Sequence, residues 1–114
     1  MIIQPDITAS IVIYREEISV LQKAIDSFLG SPFAQKIFLI DNSPNSSMEN
    51  HFQHPKIQYL PSKKNLGFAR GHNFILERLQ QEESDFHLVL NPDVTFNPKI
   101  FNPLILELQK DIVF

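Results

Sequence analysis

Residues 7–41, ITASIVIYREEISVLQKAIDSFLGSPFAQKIFLID, contain the change of apolar period that decides the fold. Residues 7–14 are β-branched and apolar, bounded by Pro5 and by Arg15-Glu16-Glu17, which is the pattern of a buried strand. Ile18, Leu21, Ile25, Phe28 and Leu29 then recur at steps of three and four and place one apolar stripe on a helix. Gly30-Ser31-Pro32 closes that helix: Gly30 suits a left-handed C-terminal turn, and Pro32 cannot extend a helix. Residues 36–40 (KIFLI) form a second strand and run into the turn-forming Asp41-Asn42-Ser43-Pro44-Asn45-Ser46-Ser47.

The same alternation continues outward. Residues 56–60 form a weaker third strand, and residues 68–79 a helix carrying Phe68, Phe74, Ile75 and Leu79. Residues 86–90 (FHLVL) are a fourth strand stopped by Asn91-Pro92-Asp93. Residues 98–108 suit a third helix with Pro98 in its first turn and Ile100, Leu104, Ile105 and Leu108 as its apolar positions. Pro103 would kink that helix, which favours a start after Asn102. Strands alternating with helices predict an α/β fold: a Rossmann-like, mostly parallel sheet flanked by helices. Ile112-Val113-Phe114 looks like the first residues of a further strand, so the expectation is one truncated domain over residues 1–114.

Composition narrows the function. A chain of 114 residues is the size of one small domain, and 43% hydrophobic with 20% charged residues is an ordinary globular balance that excludes wholesale disorder. The absence of Cys removes disulfides, thiolate metal sites and a cysteine nucleophile. No apolar run is long enough for a transmembrane segment, and residues 1–6 lack the basic and apolar regions of a signal peptide. A net charge of −3 argues against nucleic acid as a partner. The expected location is cytoplasmic.

In open parallel sheets ligands bind beyond the carboxyl ends of the strands, at the point where strand order reverses. Tyr14-Arg15-Glu16, Asp41-Asn42 and Asn91-Pro92-Asp93 all follow strands and are expected at that edge. Asp41 could accept a hydrogen bond from a ribose hydroxyl or base N–H, or could cap a turn. Asp93 on its proline turn could anchor Mg²⁺, which commonly takes one or two carboxylates and completes its shell with phosphate and water, or could be a plain turn residue. Residues 65–73 (NLGFARGHN) open a helix, where glycines permit close backbone approach and N–H groups favour anionic ligands; Lys63, Lys64 and Arg70 add positive charge nearby. A dinucleotide site would need glycines where Arg15-Glu16-Glu17 stand, and no phosphate-cradling Gly-Lys-Ser/Thr loop occurs. The same lack of a basic glycine-rich loop after the first strand argues against a nucleotidyltransferase. His51 and His54 have no third ligand for zinc, His72 and His87 suit a helix surface and a strand, and no nucleophile elbow is present.

IVIY (11–14), LIDNS (39–43), NLGFARGHN (65–73) and LNPDV (90–94), in this order and approximate spacing, resemble the N-terminal half of a family 2 glycosyltransferase, with the rhamnosyltransferase-like enzymes of bacterial polysaccharide synthesis as the most similar subgroup. The resemblance spans residues 7–114. It implies the first half of a GT-A fold, inverting sugar transfer from a dTDP- or UDP-sugar donor to a glycan or lipid-linked acceptor, and a divalent Mg or Mn cofactor. By position, Asp41 and Asn42 would contact the nucleotide, with Tyr14 where the first strand meets the donor pocket. Asn65, Gly67, Arg70 and Asn73 would shape that pocket. Asn91 and Asp93 match a variant D-x-D motif in which Asp93 is the metal ligand. With Asn91 in place of the first acid only one carboxylate remains, so metal binding without nucleotide should be weak. Family members often carry Asn where Arg15 stands, and no role is carried over to Arg15.

The family's acceptor-activating base lies in its second half, so the catalytic residues are unknown here and the expectation is a donor-binding part unable to complete a cycle alone. The implied location is cytoplasmic or peripheral at the inner face of the membrane. The alternative reading is a non-catalytic nucleotide-binding or assembly module that self-associates through an exposed sheet edge.

Overall fold

The computed structural model describes residues 5–43, 48–61, 73 and 84–110. They build a four-stranded sheet of β1 (Ile7–Ile13), β2 (Ala34–Asp41), β3 (Ile57–Pro61) and β4 (Phe86–Leu90), together with α1 (Ile18–Leu29) and α2 (Phe101–Lys110). Short 3-10 turns occupy Met48–His51 and Pro98–Ile100. The strand order is β3-β2-β1-β4 and every pairing is parallel. β1 is therefore central, which explains its unbroken burial: all seven residues are buried, Thr8 and Ser10 included.

One face of the sheet presents Ile7, Ala9, Ile11 and Ile13 of β1 with Ile37 and Leu39 of β2. On them α1 lays Leu21, Ala24, Ile25 and Phe28 at i, i+3, i+4 and i+7; Leu21, Ile25 and Phe28 belong to the stripe that the spacing predicts, Ala24 joins them, and Ile18 at its start is exposed. Burying each such side chain is worth about 1.5–3 kcal/mol. Phe101 and Ile105 of α2 complete this layer, Phe101 meeting Phe28 and Phe96 edge-to-face at centroid distances of 6.3 and 5.3 Å. The opposite face carries Val12, Phe38 and Ile40, packed by Leu60.

Four local expectations are corrected. α2 begins at Phe101, before Pro103, because the first helical turn has no intrahelical partner for its N–H groups and a proline there loses nothing. Asn97 caps the preceding turn, its Oδ1 accepting from Lys99 N at 3.0 Å. The apolar face rotates with that start: Phe101 and Ile105 are buried while Ile100 and Leu104 are exposed, since the aromatic contacts with Phe28 and Phe96 set the helix orientation. Gly30 is right-handed, at φ −69°, rather than left-handed. Its reason is space, because a Cβ at that position would stand 2.6 Å from Pro98 Cγ. β2 is also longer than its apolar run, gaining Ala34 and Gln35 through a register shift between Ile7 and Thr8 of β1. The helix predicted over residues 68–79 lies outside the described residues except for Asn73, which is helical and exposed, and Ile112-Val113-Phe114 lie outside them too.

Candidate functional site

Four parallel strands bring four carboxyl ends to one edge. Strand order reverses between β1 and β4, the arrangement that opens a ligand crevice at that edge. The register aligns Ile13 with Asp41, and Ile11 with Leu90. Tyr14, the Asp41-Asn42-Ser43 segment and the Asn91-Pro92-Asp93 turn thus follow three neighbouring strands at the same end of the sheet. With strands about 4.8 Å apart, the ends of β2 and β4 are roughly 10 Å from each other on either side of β1.

Asp41 is completely buried. By the two-residue period of a strand it shares a face with Ile37 and Leu39. Its Oδ1 accepts from Ser43 N at 2.9 Å, closing an Asx turn, and its Oδ2 accepts from the Tyr59 hydroxyl of β3. Of the two roles the sequence left open for Asp41, the turn is directly visible. Tyr59 and Ser43 are site residues that the sequence reading missed. Tyr59 pairs in register with Leu39, two residues before Asp41, and a long side chain reaches such a diagonal neighbour on the same face, which is the signal that could have found it. Asn42 is also buried and its N–H donates to Ile13 O at 2.8 Å, stitching the ends of β1 and β2 together.

Ser43 makes the second stitch: its buried Oγ accepts from Arg15 N at 2.7 Å. Arg15 is the one described non-glycine residue at positive φ, 55°. Its guanidinium carbon stands 5.2 Å from the centroid of the Tyr14 ring, and both side chains are exposed. At a solvated position such a cation–π contact is worth about 0.5–1 kcal/mol.

β4 ends at Leu90 because Pro92 cannot donate to a ladder and restricts the residue before it. The chain turns over residues 91–94, Val94 N donating to Asn91 O at 3.2 Å, and then Phe96 N reaches Ser27 Oγ on α1 at 3.1 Å. Asn91 and Asp93 are exposed on this turn at the carboxyl edge. Among the described residues no group of three or more His, Asp or Glu converges as a ready-made metal cage. A lone exposed carboxylate is nevertheless the donor set that Mg²⁺ uses when phosphate oxygens and water supply the rest.

Asn73 is helical and exposed, and Asn65, Gly67 and Arg70 lie outside the described residues. His87 faces β1, with Nδ1 2.8 Å from Thr8 Oγ1 and Nε2 2.9 Å from Ser10 Oγ. This explains two buried hydroxyls in a central strand and keeps His87 away from the carboxyl edge. His54 accepts from Lys56 N through Nδ1 at 3.0 Å.

Comparison with known proteins decides the family. The sequence matches the family model for glycosyl transferase family 2 over residues 8–113, nearly the whole chain. The chain belongs to glycosyl transferase family 2. Among solved structures, Staphylococcus aureus TarS 1–349 superposes with a TM-score of 0.70 at 14% identity, covering 92% of this chain and 32% of that one. A second S. aureus TarS structure gives 0.66 at 15% identity, with coverages of 92% and 20%. At these identities the likeness is one of fold: this family 2 chain matches the N-terminal part of a GT-A fold and spans about a third or less of each TarS chain. No curated protein gives a match. Among the described residues of this family 2 chain, no helix is long and apolar enough to cross a membrane.

Proposed function

We propose that the carboxyl edge of this sheet is the donor site of an inverting, rhamnosyltransferase-like glycosyltransferase. It would take a dTDP- or UDP-sugar and serve a glycan or lipid-linked acceptor, in the cytoplasm or at the inner face of the membrane. The observation that carries the reading is the convergence of Tyr14, Asp41-Asn42 and Asn91-Asp93 at the reversal point of an all-parallel sheet in a family 2 chain. Asp41 is held by Ser43 N and Tyr59 OH and would offer its carboxylate to a ribose hydroxyl or base N–H once the residues covering it give way. Asn65, Gly67, Arg70 and Asn73 would line the same pocket. Asp93 would supply the one protein carboxylate to a divalent Mg or Mn, with the donor diphosphate completing the shell. Such a metal offsets the charge that builds on the departing diphosphate. The acceptor hydroxyl also needs a general base, and no described residue is assigned to it.

Calorimetric titration of the chain with UDP or dTDP, with and without Mn²⁺, tests the reading. Binding should tighten with metal, and Asp93→Ala should abolish the metal-dependent gain while leaving the fold intact. A folded chain that binds neither nucleotide, or whose binding ignores both metal and Asp93, would overturn it. The outer edge of β4 has no partner among the described residues and leaves Val89 half exposed, which favours self-association as a second reading. A monomer by light scattering at high concentration would dismiss that reading.

A further inference from the structure

We infer that Arg15 is a diphosphate-binding residue of the donor site, a role that rests on the reading of the carboxyl edge given above. Three observations point to it. The first is position. Arg15 follows the central strand, between Asp41 at the end of β2 and Asp93 beyond the end of β4. A donor with its nucleoside at Asp41 and its metal-bound end at Asp93 must carry its phosphates across the end of β1.

The second is charge. Four other cationic side chains lie elsewhere. Lys36 and Lys56 are near the amino ends of β2 and β3, the Lys56 ammonium donating to Ala34 O. Lys23 is midway along α1, and Lys99 lies in the turn whose Pro98 packs against Gly30 at the far end of α1. Arg15 thus brings positive charge to the carboxyl edge, where Asp41 and Asp93 add only negative charge.

The third is conformation. A bulky side chain at φ 55° is disfavoured, and glycine or asparagine would hold that backbone at less cost. The left-handed bend is fixed by the Ser43 hydroxyl on Arg15 N, and the guanidinium is stacked by the Tyr14 ring instead of trailing freely into solvent. A planar fork prepared in this way suits bidentate contact with phosphate oxygens, which a Lys would not reproduce.

The test compares UDP and dTDP with uridine and thymidine, in Mg²⁺, by calorimetry on the full chain carrying Arg15→Ala, Arg15→Lys or Arg15→Gly. Loss of the fork should weaken the diphosphates by about tenfold to a hundredfold. The phosphate-free nucleosides should stay within about twofold, and Arg15→Lys should fall between Ala and the native chain. Arg15→Gly carries the sharper signature, because it relieves the backbone: its melting temperature should hold or rise while diphosphate affinity falls, a split that a purely structural role would not produce. Diphosphate affinity unchanged in all three variants would overturn the role of Arg15 while leaving the donor site standing. Equal losses for nucleosides and diphosphates would assign Arg15 to the fold and overturn the inference. A native chain that binds none of the four ligands would remove the donor site itself and this inference with it.

Discussion

Removing the Tyr59 hydroxyl is the most informative single perturbation of the site. In Tyr59→Phe the ring keeps its place against the core layer, but Asp41 Oδ2 loses a donor while the carboxylate stays fully buried. Leaving a buried acceptor without its donor costs about 1–3 kcal/mol, and the partial exposure of Tyr59 places the loss at about 1.5–2 kcal/mol. For a domain of this size a change of 1 kcal/mol moves the melting temperature by roughly 4 °C, so the variant should melt about 6–8 °C lower. Urea denaturation at neutral pH should show the same loss through a lower midpoint at unchanged slope. A double-mutant cycle with Asp41→Asn should return a coupling of about 1 kcal/mol or more, since the two side chains touch. A Tyr59→Phe variant within about 0.5 kcal/mol of the native chain, or a cycle that is simply additive, would refute the claim that this pair fixes the Asp41 carboxylate.

Two further predictions concern the scaffold that carries the site. Gly30→Ala would gain the roughly 0.5–1 kcal/mol of a helix-compatible residue, but its Cβ falls 2.6 Å from Pro98 Cγ and 3.3 Å from Asp26 O, so overpacking of about 1–3 kcal/mol should win. Adding Pro98→Ala should restore most of that loss in thermal unfolding, and no rescue would show that the contact is not the cause. Phe28→Ala should cost about 3–5 kcal/mol, because the ring is wholly buried and lies edge-to-face with Phe101; a loss under about 1 kcal/mol would contradict the packing of α1 and α2 on one face.

Much of the fold is legible in the sequence because its signals are periodic. The apolar stripe of residues 18–29 gives α1 to the residue, and FHLVL between polar neighbours gives β4 in the same way. The ends of β2 are less visible: Ala34 pairs with Ile7 only because the register shifts past Gln35, which depends on the partner strand. Pro103 and Gly30 mislead for a related reason. Each has a strong local meaning, kink or left-handed turn, that tertiary placement overrides: the actual helix start for Pro103 and the approach of Pro98 for Gly30. At the carboxyl edge the contributing loops follow from strand polarity alone. The Asp41–Tyr59 and Arg15–Ser43 links do not, since they join residues 18 and 28 positions apart and exist only once β2 is paired with β3 and β1.

The central claim is that a nucleotide-sugar donor lies across the carboxyl ends of β2, β1 and β4. Amide chemical-shift mapping of the chain with UDP or dTDP and Mg²⁺ tests it most directly, with Mn²⁺ replacing Mg²⁺ as a paramagnetic probe. Shifts should concentrate at residues 13–15, 41–43 and 91–93, with Mn²⁺ broadening centred on Asp93 and the His87 and Lys56 signals unmoved. Perturbations gathered at the amino ends of the strands, or broadening remote from Asp93, would contradict the account.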